Sequence, residues 1–253
     1  MKVTFLGTGT SQGVPVIACT CPVCRSIDFK DKRLRSSIHL QTNSTSIIID
    51  IGPDFRQQVL RENIPLLDAI LLTHEHKDHT AGLDDVRSYN FKQNKDMPVY
   101  GRKEVLQQLQ TEFGYIFSDI KYPGVPSVDL KEITNNKFSI DGLIIEPVEV
   151  MHYKLPVFGF KIGDFAYVTD AKTISETEKS KLKGLDVLVL NALQKEAHIS
   201  HLTLSEAIEL IKELEPKKTY LTHISHNLGL SRDILPTLPD NVHLAYDGLK
   251  FEV

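Results

Sequence analysis

Six consecutive residues, His74-Glu75-His76-Lys77-Asp78-His79, follow the apolar run Ala69-Ile70-Leu71-Leu72 and Thr73. An apolar run of that length reads as a buried strand, and a strand end fixes the backbone while the loop beyond it turns alternate side chains toward one centre. Three imidazoles and two acids in six residues make that centre a metal site. Imidazole nitrogen and carboxylate oxygen both bind zinc, and hydrolytic sites leave one position open for water. A histidine-rich surface loop is the bland account, and the density of the cluster at a strand end weighs against it.

The rest of the chain supplies a scaffold for such a loop. Lys2 to Gly7 reads as a strand, Ser37 to Gln41 and Ser46 to Ile51 as a hairpin across Thr42-Asn43-Ser44, and Ala69 to Thr73 as a strand. Helical spacing is carried by Phe55 to Glu62 and by Lys103 to Phe113. The second half repeats the style, with strands near Leu143 to Val150, Phe158 to Ile162, Phe165 to Thr169, Val187 to Asn191 and Thr219 to Thr222. There Thr203 and Glu206 form a capping box ahead of Leu204, Ala207, Ile208, Ile211 and Leu214, which share one face until Pro216. Two β-rich halves flanked by helices predict two sheets packed face to face with helices outside, an α/β, four-layer arrangement. No repeat or Pro/Gly/Ser-rich linker divides the chain, so a single domain over 1–253 is expected.

His74-x-His76-x-Asp78-His79 resembles the hallmark of the metallo-β-lactamase fold superfamily, and further motifs fall in the family's order. These are Asp50 in Ile48-Ile49-Asp50-Ile51-Gly52, His152 after Val150-Met151, Asp170 after Tyr167-Val168-Thr169, and His223 after Tyr220-Leu221-Thr222. The resemblance implies an αββα sandwich with the site at the sheet edge. By the same carry-over His74, His76 and His152 hold one metal, Asp78, His79 and His223 hold another, and Asp170 bridges. Asp50 would support the metal loop from behind without binding an ion, although an acid there also suits a turn before Gly52-Pro53.

The segment Cys19-Thr20-Cys21-Pro22-Val23-Cys24 is a compact three-thiolate pattern one ligand short of a closed zinc site, and His226, three residues beyond His223, is the best candidate to complete it. A Cys21–Cys24 redox pair and inert buried thiols are the competing readings. Together with Leu6-Gly7-Thr8-Gly9-Thr10 and His223-Ile224-Ser225-His226, the cluster resembles the phosphoribosyl cyclic phosphodiesterase (PhnP-type) branch. That resemblance implies hydrolysis of a small cyclic phosphodiester, two catalytic divalent metals (Zn or Mn), one structural Zn, and a proton-donating histidine that maps to His201, with His198 as its rival. Asp78 would orient the nucleophile as well as bind metal. Gly7-Thr8-Gly9-Thr10 could bring amides near a phosphate, and Arg33, Arg35 and Ser36 could meet an anion, though a plain turn and solvated charges are the simpler expectations.

Composition narrows the alternatives. With 41% apolar and 25% charged residues the chain has material for a substantial core, and a formal charge of -4 gives no reason to expect a stable nucleic-acid partner. That lowers a ribonuclease of the tRNA 3′-processing type, which also lacks a basic gripping arm here. A thioester hydrolase and an accessory protein of cofactor synthesis remain on the same fold. Met1 to Gly7 shows no export signal, no segment is long and apolar enough to cross a bilayer, and three clustered cysteines suit a reducing compartment, so a cytoplasmic protein is expected. A homodimer is left open, and no motif is readable from Tyr115 to Asn136.

Overall fold

Strand β3 (Ser46–Ile49) shows how the sequence builds the layers. Its three isoleucines are all buried, Ile47 and Ile49 on one face and Ile48 on the other, because alternate residues of a strand point to opposite sides. A strand apolar on both faces needs cover on both, and it is found in a sheet between a second sheet and a layer of helices.

The computed structural model describes residues 1–120 and 122–253. In chain order the strands are β1 (Lys2–Gly7), β2 (Ser37–Gln41), β3, β4 (Ala69–Leu71), β5 (Met97–Gly101), β6 (Val128–Glu132), β7 (Phe138–Ile140) and β8 (Leu143–His152). They continue with β9 (Leu155–Ile162), β10 (Phe165–Val168), β11 (Thr173–Ile174), β12 (Val187–Asn191), β13 (Lys218–Thr222), β14 (Val242–Leu244) and β15 (Lys250–Glu252). The first sheet runs β15-β1-β2-β3-β4-β5-β6, and the second β11-β8-β9-β10-β12-β13-β14 with β7 beside β8. The last strand of the chain thus returns to pair with the first, Val3 opposite Phe251.

Three apolar cores make four layers. Phe5, Ile38, Ile47, Phe158, Phe160 and Tyr167 fill the space between the sheets. Ile48, Ile70 and Val99 pack outward onto Phe55, Val105 and Leu109 of the helices Phe55–Glu62 and Lys103–Glu112. Leu188 and Leu190 face the other way, onto Leu182, Ala207 and Leu214 of the helices Glu176–Leu182 and Leu204–Leu214. The expected sandwich is therefore present, and the hairpin, the helix Phe55–Glu62 and the strand Val187–Asn191 fall where the periodicity put them. The capping box is formed: Thr203 Oγ1 accepts from the Glu206 amide while the Glu206 carboxylate accepts from the Thr203 amide at 2.8 Å. Among the described residues no helix is long and apolar enough to cross a membrane.

Candidate metal centre

Five residues of the histidine and aspartate set stand at or just past the carboxyl end of a strand, while Asp78 and His79 lie in the short helix Lys77–Thr80 that His76 precedes. Asp50 follows β3, His74 lies just past β4, His152 ends β8, Asp170 lies just past β10, and His223 follows β13. Three of these positions, Asp50, Asp170 and His223, take a left-handed backbone with φ of 64°, 59° and 55°. For non-glycine residues that conformation costs of order 1 kcal/mol or more each. It turns the chain sharply as the strand ends and aims the side chain back across the sheet edge.

Asp50 organises the loop from beneath. Its carboxylate accepts hydrogen bonds from the Thr73 amide (2.9 Å), the Thr73 hydroxyl (2.9 Å) and His79 Nδ1 (2.6 Å). Since the Thr73 hydroxyl donates to Asp50, its oxygen accepts from His74 Nδ1 at 2.9 Å. Both imidazoles are thereby fixed with Nδ1 protonated and the Nε2 lone pair free. His152 is set likewise, its Nδ1 donating to the carbonyls of Ser200 (2.9 Å) and Asp170 (3.1 Å).

The free nitrogens converge on acids. His79 Nε2 is buried with no hydrogen-bond partner among the described residues and lies 3.1 Å from Asp78 Oδ2 and 3.4 Å from Asp170 Oδ2. A lone pair facing two carboxylates is repulsive unless a cation sits between them or the ring takes a second proton. The bare protein takes the proton: burial works against the imidazolium of His79, but Asp78, Asp50 and Asp170 outweigh it and hold its pKa well above the ordinary value. Burial likewise opposes the carboxylate of Asp170, and His223, His79, His74 and His201 outweigh it, holding the acid well below its usual range. Burial raises Asp50 and pushes His74 well down. A divalent ion does the same work as the extra proton and satisfies the orphaned nitrogen, so the donor set fits metal.

Three triads have ligand atoms within 4.8 Å of one another: His74, His79 and Asp170; Asp78, His79 and His223; His152, Asp170 and His201. Asp78, His79 and His223 come together as the resemblance implied. His74 pairs with His79 and Asp170, and the exposed His76 lies outside the triads with Nδ1 3.0 Å from His74 Nε2. His201 is buried, its Nδ1 without a hydrogen-bond partner among the described residues and 3.7 Å from Asp170 Oδ1. Burial and the neighbouring His223 push its imidazole down to about 3. The rival His198 is half-buried, its ring 5.0 Å from that of His201.

The second cluster is tighter. The Cys19, Cys21 and Cys24 sulfurs lie 3.3, 3.4 and 3.4 Å from His226 Nδ1. A tetrahedral zinc with ordinary bond lengths puts sulfur and nitrogen about 3.6 Å apart, so the four groups already outline a tetrahedron. The Cys24 amide hydrogen bond pulls the Cys21 thiol down to about 6, while burial pushes Cys24 up to about 11. His226 reaches this cluster from the same short loop that carries His223.

One expectation is corrected. Arg33 is not a solvated charge: it is buried, donating to Thr8 Oγ1, the Ala245 carbonyl and Ser231 Oγ. Arg35 pairs with Asp54 at 3.0 Å, and Ser36 donates to the Gly9 carbonyl. The Gly7–Thr10 turn spends its amides within the fold, Gly9 on the Leu34 carbonyl and Thr10 on that of Ile224. Glycine is required at position 7 because a Cβ there would stand 1.9 Å from the Arg35 carbonyl oxygen. Residues the sequence reading passed over include Thr73 and Thr169, the latter donating to Asp170 Oδ2 at 2.7 Å. Their signal was visible as a threonine immediately before each of His74, Asp170 and His223.

Comparison with known proteins places the fold in a family. A solved diphosphatase of the PhnP family superposes with a TM-score of 0.93 at 38% identity, over 100% of this chain and 97% of that one. An octanoyltransferase of Porphyromonas gingivalis is 41% identical over 253 residues, 99% of this chain and 51% of that protein. A ribonuclease Z of Staphylococcus epidermidis is 28% identical over 172 residues, 64% of this chain and 49% of that protein. The chain thus spans about half the length of these two curated relatives. The beta-lactamase superfamily domain matches residues 45–224. With that match across the histidine loop and the three later strand ends, the chain belongs to the beta-lactamase superfamily, as a hydrolase-fold protein of PhnP type.

Proposed function

We propose that this chain is a metal-dependent phosphodiesterase acting on a small cyclic or nucleotide-like phosphodiester. In this reading residues 1–253 form one hydrolase domain. His74, His76, Asp78, His79, His152, Asp170 and His223 hold two catalytic divalent ions, and Cys19, Cys21, Cys24 and His226 hold a structural zinc. The observation that carries the reading is the buried, unpartnered Nε2 of His79 between the carboxylates of Asp78 and Asp170. The 38% identity to a diphosphatase along nearly the whole of both chains supports phosphorus chemistry over acyl transfer.

A metal pair held there acidifies water and supplies Lewis-acid charge to the phosphoryl oxygens. The chain's own residues do the rest. Asp50 holds His79 directly and His74 through Thr73, so the ligands need no reorganisation when substrate arrives. Asp78, mostly buried beside His79, would orient the attacking water as well as bind. His201 is neutral in the bare protein, and an anionic phosphoryl group beside it raises its pKa by the Coulombic effect that Asp170 already exerts. Protonated, it can deliver a proton to the leaving oxygen.

Purified, metal-loaded protein should hydrolyse 2′,3′-cyclic nucleotides and bis(p-nitrophenyl) phosphate, and Asp78→Ala should abolish both. His201→Ala should lower kcat by about 10²- to 10⁴-fold on the cyclic nucleotide. It should matter far less for the p-nitrophenyl ester, whose leaving group departs without a proton. Equal losses on the two substrates would remove the proton-donor role, and cleavage of a tRNA precursor with no turnover of the small esters would overturn the reading in favour of a ribonuclease.

A further inference from the structure

A cavity of about 300 Å³ opens beside β14, the edge strand of the second sheet. It is separate from the metal centre: Lys218, on its wall, begins β13, and His223 follows the end of that strand, roughly 16 Å away along an extended chain. Its wall carries Lys30, Arg33, Lys218, Ser231 and His243, and among the described residues no carboxylate lines the cavity. In a chain of net charge -4 such a wall is a local excess of positive charge. Apolar and aromatic groups line it as well, Leu244, Leu249, Tyr220 and Tyr246, with Tyr220 against His243 and Tyr246 beneath Lys30.

The cations are available to a ligand. Among the described residues neither Lys30 nor Lys218 has a carboxylate partner, although the adjacent Lys217 pairs with Asp186 at 2.7 Å. The Lys30 ammonium stands 5.4 Å over the Tyr246 ring, which holds it at the rim. Arg33 is 4% exposed and uses three of its five N–H bonds, two from Nη1 and one from Nη2. That leaves Nε–H and one Nη2–H without a protein acceptor among the described residues. Asp247, Asp31 and Asp28 favour its charge, which burial opposes. None of these acids lines the cavity: Asp247 accepts from Thr8 and the Leu34 amide, Asp31 from Ser26 and the Ser231 amide, and Asp28 from the Lys30 amide.

We propose that this cavity binds a small organic phosphomonoester. A phosphomonoester is a dianion near neutral pH, which suits two lysines as point charges and a planar guanidinium with spare donors. The apolar and aromatic groups of the lining take the organic body, and the volume is at the lower end of ordinary ligand sites. Nothing in this proposal depends on the metal centre being catalytic.

The test titrates zinc-loaded protein with adenosine 5′-monophosphate and follows backbone amide shifts by NMR. The expected result is saturable shifts at Lys218, His243 and Tyr246 with a dissociation constant of about 1 mM or tighter. Lys30→Glu/Lys218→Glu should weaken them about tenfold or more while hydrolysis of bis(p-nitrophenyl) phosphate is unchanged. If charge reversal disturbs folding, Lys30→Ala/Lys218→Ala gives the same readout with a smaller loss. The proposal is overturned by the absence of saturable shifts at these three amides, by shifts confined to the histidine cluster, or by cavity shifts that the paired substitutions leave intact.

Discussion

Asp50 carries more of the metal centre than any side chain that would touch an ion. It accepts from Thr73 twice and from His79 once, so an amide in its place turns one acceptor into a donor facing a ring N–H. Asp50→Asn should therefore lower metal affinity about 10- to 100-fold, read by chelator competition, with the ligands themselves intact. At this scale the sequence was informative where chemistry is rare: a run of histidines and acids at a strand end has few other uses. The threonines before His74 and Asp170 were visible but their roles were not, and the Ser200 carbonyl left no signal, because a hydroxyl or a backbone oxygen declares its partner only once the strands are side by side. The left-handed turns at Asp50, Asp170 and His223 were equally hidden, since none of the three is glycine.

Elements with a strong internal period were read close to their ends. The helix Leu204–Leu214 is the clearest case, and its cap can be tested alone. Thr203→Ala removes the hydroxyl that accepts from the Glu206 amide and should cost about 1 kcal/mol, seen as a lowered urea midpoint with an unchanged slope. Elements without a period were missed. The helix Arg87–Gln93 buries only Tyr89, so it has no apolar stripe to recognise. Strand β6 is a half-exposed edge, Val-Asp-Leu-Lys-Glu, and β14 and β15 are three residues each. Such strands exist because a neighbour pairs with them, which no local pattern records.

Across the whole molecule the two halves and their helical cover were legible from alternation, whereas the return of β15 to β1 was not, being a pairing between residues some 250 positions apart. The finished sandwich also buries groups that titrate. Burial, with Lys2 adding to it, pushes the His39 imidazole down to about 4, and its Nε2 is held at 2.8 Å from Ser46 Oγ. His39 is thus neutral in the folded chain and takes a proton near its ordinary value only when unfolded. Its contribution is complete above about pH 6.5 and is lost as pH falls toward 4, at roughly 1.4 kcal/mol for each pH unit once the unfolded form is protonated. Urea unfolding from pH 7 to pH 5 should show this decline, and His39→Gln should flatten it. A last consequence follows from the loop in which His223 and His226 stand three residues apart, pinned by Thr8, Thr10 and Leu193. If the three cysteines and His226 hold an ion as proposed, it would anchor one end of that loop and so set the other end, and loading is expected to be sequential. His226→Ala should lower metal content from about three ions per chain to about two. It should also loosen the two that remain, so zinc starvation would silence such a protein from its cysteine end first.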